Sequence, residues 1–99
     1  MYLHIGGDLT IRLKTVVAIL DMDTTTTSKI TKEFLRTAED EGFIIPVSDD
    51  LPKSYVITEE SGKGNRIYLS PISSTTLLKR AEESETVLIE RDWKGEAHL

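Results

Sequence analysis

The stretch Tyr68-Leu-Ser-Pro-Ile-Ser-Ser-Thr-Thr-Leu-Leu-Lys-Arg-Ala81 decides the fold class, because a strand pattern becomes a helix pattern within it. Arg66 to Leu69 alternates polar and apolar residues, the period of a half-buried strand. Pro71 has no N–H to give a ladder, so the strand must stop before it. Ser73 or Ser74 then offers a hydroxyl to the orphan N–H groups of a helix running to about Ser84 and carrying Leu77, Leu78 and Ala81. With the segments before it, this junction reads as part of a small α+β domain.

The segments before it fit the same class. Leu3 and Ile5 alternate with Tyr2 and His4 up to Gly6-Gly7-Asp8, a turn signal resting on the positive φ that glycine tolerates. Leu9, Ile11 and Leu13 alternate with Thr10, Arg12 and Lys14, predicting a second strand with both cations on its polar side. Val16-Val-Ala-Ile-Leu20 is continuous and β-branched, which predicts a more central strand. Ile30, Phe34 and Ala38 fall four apart with Leu35 beside them, one apolar helix face from Ser28 to a stop at Gly42. The threonines at 24–27 suit the start of that helix. Ser54–Thr58 and Arg66–Leu69 are predicted to pair as a hairpin through Ser61-Gly62-Lys63-Gly64. The expected architecture is a small, mainly antiparallel β-sheet with two α-helices.

Ninety-nine residues suffice for one core without staples, and the chain has no cysteine. Disulfides, thiol nucleophiles and cysteine-ligated zinc are thereby excluded. Val16–Leu20, the longest apolar run, is too short to span a bilayer, and the first residues carry no secretion signal. The net charge of −5 is unevenly spread. Residues 1–81 hold ten Lys/Arg against eleven Asp/Glu, whereas residues 82–99 hold two against six. A basic patch on the folded part is therefore compatible with an acidic chain.

No residue pattern advertises catalysis. His4 and His98 are the only histidines, and no spacing links either to paired carboxylates, so His4 reads as a surface or edge residue. Gly62-Lys63-Gly64 lacks the strand and helix that frame a phosphate loop, and the serine and threonine runs have no base beside them. Neither a cofactor nor a metal centre is expected. Among the cations, Lys14, Lys53, Arg66, Lys79 and Arg80 are the residues that could meet DNA phosphates if the fold gathers them. One copy would bring few contacts, so useful affinity requires repetition through oligomerisation.

In chain order, Met1-Tyr-Leu-His-Ile-Gly6, Val17-Ala-Ile-Leu-Asp21, the helix ending at Gly42, Pro52-Lys-Ser-Tyr-Val-Ile-Thr58 and Tyr68–Ala81 resemble the extracellular matrix regulatory protein family, in its RemB branch. The resemblance covers residues 1 to about 84. It implies a fold similar to LytTR-type DNA-binding domains, and together with the charge distribution it gives a domain over residues 1–85 followed by an acidic tail at 86–99 outside the resemblance. It also implies a cytoplasmic bacterial regulator without enzymatic activity, assembled as a ring-like homo-oligomer. For the RemA branch it implies activation of biofilm matrix genes through double-stranded DNA, helped by an arginine-rich loop. Here that loop reads Asp49-Asp50-Leu51-Pro52-Lys53, which keeps one cation and adds two carboxylates. The basic position before Val16 is kept only through Lys14. The expectation is accordingly weak, salt-sensitive DNA binding, or an assembly module of the same fold that binds no DNA.

Overall fold

Ser70 is where the chain is tied together. Its side chain is wholly buried, and its Oγ donates to the Ile5 carbonyl at 2.6 Å while accepting the Ile72 N–H at 3.1 Å. Ser54, equally buried and paired with Ser70 across the ladder, donates its Oγ to the Ile72 carbonyl at 2.7 Å. Two serines thus satisfy both backbone groups of Ile72 as the chain leaves the sheet around Pro71. Removing one partner strands buried polar groups, so Ser70→Ala is expected to destabilise the protein by about 2 kcal/mol in urea melts. Ser54→Ala should cost less than Ser70→Ala, and the two should be non-additive because both act on Ile72.

The computed structural model describes residues 1–25 and 29–83, with only the backbone at residues 24, 25, 30 and 31. The elements are β1 (Tyr2–Gly6), β2 (Leu9–Arg12), a 3-10 turn (Leu13–Thr15), β3 (Val16–Asp21), α1 (Met22–Thr25), α2 (Lys29–Asp40), β4 (Ile44–Pro46), β5 (Ser54–Glu60), β6 (Gly64–Ser70) and α3 (74–83). β1 and β2 form an antiparallel two-stranded sheet. The other four strands form a second sheet in the order β3-β5-β6-β4, antiparallel except for the β4–β6 pair. Among the described residues this is an α+β fold with mainly antiparallel strands, two helices of some length and one short α-helical turn.

The main sheet buries both faces, and the period-2 alternation of its central strands sorts the residues. Val56 and Tyr68 face β1, β2 and α3, packing with Leu3, Ile5, Ile11 and Leu77. Their neighbours Ile57 and Ile67 face the other way, toward Leu35 and Ala38 of α2. On that second face burial, and to a lesser degree the charge of Glu39, raises the pKa of the Tyr55 hydroxyl.

Local signals set the element ends. The β1–β2 turn uses Gly6 and Gly7 with φ of 125° and 53°. After α2, the Gly42 N–H donates to the Glu39 carbonyl and the Phe43 N–H to the Ala38 carbonyl, with φ of 78° at Gly42. That bond pair is the Schellman stop, and glycine makes its left-handed residue inexpensive. Ser73 caps α3, its Oγ accepting the Thr76 N–H at 3.3 Å.

Three expectations change. The Val16–Leu20 segment forms an edge strand rather than a central one, with a bulge between Val16 and Ala18 that leaves Val17 61% exposed. A continuous apolar run fits any well-packed strand, so composition does not distinguish centre from edge. Lys14 does not share the polar side of a strand with Arg12, because β2 ends at Arg12 and a 3-10 turn begins. Phe34 sits at the rim of the α2 face, 42% exposed, while Leu35 and Ala38 form its buried centre. The acidic tail, and with it Trp93 and the apolar run 87–89, lies outside the described residues.

Candidate anion and nucleic-acid interface

β5 and β6 outrun the hairpin that covers them, and there their inner face changes from apolar to charged. Tyr68 belongs to the core, Arg66 lies two residues back on the same face, and Thr58 pairs with Arg66 across the ladder. Glu60 follows Thr58 on that face, and Lys63 in the tight turn meets Glu60 at 3.8 Å. β2 forms the facing wall with Arg12, beside which Tyr2 pairs across the hairpin. Thr15 fixes the chain reversal under this wall, its Oγ1 donating to the Arg12 carbonyl at 2.7 Å.

These walls enclose a groove of about 330 Å³ lined by Tyr2, Arg12, Thr58, Lys63, Arg66 and Tyr68, with Glu60 also at its side. It therefore presents three cations against one carboxylate. Interaction with the Tyr68 side chain, by hydrogen bonding and then by charge, raises the Arg66 pKa above its ordinary value; slight burial opposes the shift and Glu60 adds to it. Arg66 is accordingly a cation at any working pH.

The five residues predicted for DNA fall in separate places. Arg66 is in the groove. Lys14, in the 3-10 turn ahead of β3, lies toward the same end of the sheet, since Val16 pairs with Thr58. Lys53 lies beyond the opposite end: Ser54 pairs with Ser70, whereas Thr58 pairs with Arg66. By strand rise that separates Lys53 from Arg66 by roughly 15 Å or more. Its backbone braces the fold, the N–H donating to the Ser70 carbonyl at 2.8 Å and the carbonyl accepting the Met22 N–H at 3.1 Å. Lys79 and Arg80 are exposed on α3, and Arg80 Nη1 donates to the His4 carbonyl at 3.3 Å, tying α3 to β1.

Arg12 and Lys63 were not among the predicted contacts. Sequence order reads Arg12 on the polar side of a strand and Lys63 in a hairpin turn, but does not show that the first hairpin docks onto the sheet so that both line one groove. His4, the histidine considered for chemistry, has its exposed ring nitrogen Nε2 2.8 Å from the Gly7 carbonyl and donates to it, bracing the turn. Among the described residues no three His, Asp or Glu side chains converge as metal ligands, and no helix is long and apolar enough to cross a membrane.

Comparison with known proteins adds the lineage of this scaffold. The family model described as RemA-like, extracellular matrix regulatory protein A-like, matches residues 2–81. Over 82 residues the chain is 37% identical to extracellular matrix regulatory protein B of Bacillus subtilis (strain 168), covering 83% of this chain and 91% of that protein. The matched region starts at β1, spans both core faces and the groove, and ends on α3 just past Arg80; the chain belongs to the RemA-like family of extracellular matrix regulatory proteins.

Proposed function

We propose that the protein is a non-enzymatic, cytoplasmic regulator of extracellular-matrix gene expression that acts as a ring-like homo-oligomer and binds double-stranded DNA weakly. The family match across residues 2–81 carries this reading. Exposed cations at Lys14, Lys53, Lys79 and Arg80, with Arg66 half-buried, support the DNA component. The separation of Lys53 from Arg66 on one copy, and the carboxylates Asp49 and Asp50 close to Lys53 in sequence, argue that affinity comes from repetition around an assembly. An acidic chain meeting DNA through few contacts gives binding that collapses with salt.

Titrating a DNA duplex at two salt concentrations tests this, alongside a mass measurement of the assembly. Lys53→Glu with Arg66→Glu is expected to abolish the gel shift while leaving the oligomer mass unchanged. An unchanged shift removes both residues from the interface, and a strict monomer sinks the oligomer. The second reading is an assembly module of the same fold that holds a protein rather than DNA. Asp49, Asp50 and the excess of acidic residues after position 81 favour it, and absence of duplex binding even at low salt would select it.

A further inference from the structure

The groove beside β2 is built unlike a surface that tracks a duplex. Duplex binding uses cations that project outward in a row, each meeting a separate phosphate. Here Arg12, Lys63 and Arg66 approach one concavity from a strand edge, a turn and a sheet floor. One of the three, Lys63, is engaged with Glu60, the carboxylate at the groove. Two guanidinium groups, Arg12 and Arg66, line the same concavity, the second beside Tyr68, a pairing suited to a multi-oxygen anion. Cations outnumber carboxylates in this concavity, so its potential favours an anion.

The remaining lining specifies more than an inorganic ion. Leu9 and Ile11 give the wall apolar surface, and Tyr2 stands at the rim 65% exposed. An exposed ring next to clustered cations suits a planar group joined to an anion. Thr58 and Thr15 add hydroxyl partners at the groove. The volume of about 330 Å³ falls at the lower end of the range for small-molecule sites, about 300–1,000 Å³. We propose that this groove binds a phosphate-bearing small molecule of mononucleotide size, with Arg12 and Arg66 on the phosphate and Tyr2 against the base. Such a ligand would occupy Arg66 and make the protein responsive to a metabolite. The proposal does not depend on the DNA reading.

The test titrates the full chain with AMP, GMP, adenosine and inorganic phosphate, following backbone amide shifts by NMR. Saturable shifts centred on Arg12, Thr58, Lys63 and Arg66 are expected with at least one nucleotide. Adenosine and inorganic phosphate should each bind at least about tenfold more weakly than that nucleotide, since one lacks the charge and the other the ring. Arg66→Gln and Arg12→Gln should each weaken binding about tenfold, the loss of one charge-assisted bond, whereas Lys32→Gln on α2 should not. Arg12 is exposed, so its variant carries the test if Arg66→Gln alters the melting temperature. Absence of saturation with both nucleotides, equal binding of adenosine, or wild-type affinity in Arg12→Gln would overturn the proposal.

A duplex arm separates the two readings. DNA bound through Arg12 and Arg66 without nucleotide binding would make the groove a DNA contact and overturn the small-molecule site, leaving the regulator intact. Nucleotide binding without any duplex binding would do the opposite.

Discussion

Gly6→Ala is expected to destabilise the protein by about 3–5 kcal/mol, combining backbone strain with a steric overlap. Gly6 has φ of +125°, a region side chains rarely enter, and an added Cβ would lie 2.7 Å from Pro71 Cδ and 2.9 Å from its Cγ. The pyrrolidine ring is rigid, and its neighbours Ser70 and Ile72 are held by buried hydroxyl bonds, so the overlap cannot relax cheaply. Gly62→Ala provides the contrast. Its φ is +82° but nothing lies within 4 Å of the added carbon, so only strain of about 1–2 kcal/mol applies. With a melting-temperature fall of about 4–8 °C per kcal/mol for a domain this size, the two variants should separate clearly in a thermal scan. Similar melting temperatures for both would mean that the Gly6–Pro71 contact is not tight.

Leu77→Ala should cost a comparable amount, roughly 2–5 kcal/mol in urea unfolding. Leu77 is wholly buried and joins Leu3, Ile5, Val56 and Tyr68, so truncation removes apolar contact and opens a cavity where α3 meets both sheets. Leu78, next along the helix, is 44% exposed, and Leu78→Ala should cost less than about 1 kcal/mol. Two adjacent leucines therefore report the rotation of α3. Because α3 carries Lys79 and Arg80, loosening it should also release the Arg80 bond to His4. Equal costs for both leucines would place the wrong helix face against the core.

Much of the fold was legible because its signals are local. Pro71, the Ser73 hydroxyl and the switch of period between Leu69 and Leu77 mark the β6–α3 junction without reference to the rest of the chain. The same holds for Gly42 and for the glycine-rich turns at residues 6–7 and 62–64. What sequence could not show depends on distant segments meeting. The edge position of β3, the parallel pairing of β4 with β6 and the docking of the β1–β2 hairpin are all tertiary choices. The groove is the clearest case. Arg12 and Arg66 lie far apart in sequence, and each reads alone as a solvated cation. Among the residues predicted for DNA, Arg80 also has a structural task at β1, and Lys53 is remote from Arg66.

The bulge at Val17 also protects a rim of the main sheet. β3 and β4 are the rims of the main sheet, and an exposed rim is a template onto which a foreign strand could add. The β3 rim is interrupted near its start by the bulge and closed by Asp21; the β4 rim spans only Ile44–Pro46 and ends in a residue with no N–H to share. The sheet is therefore self-terminating in both directions. Main-chain addition of a strand to this sheet is disfavoured at both rims, so any surface through which it meets a partner is more readily built from side chains, which can be tuned without risking runaway growth.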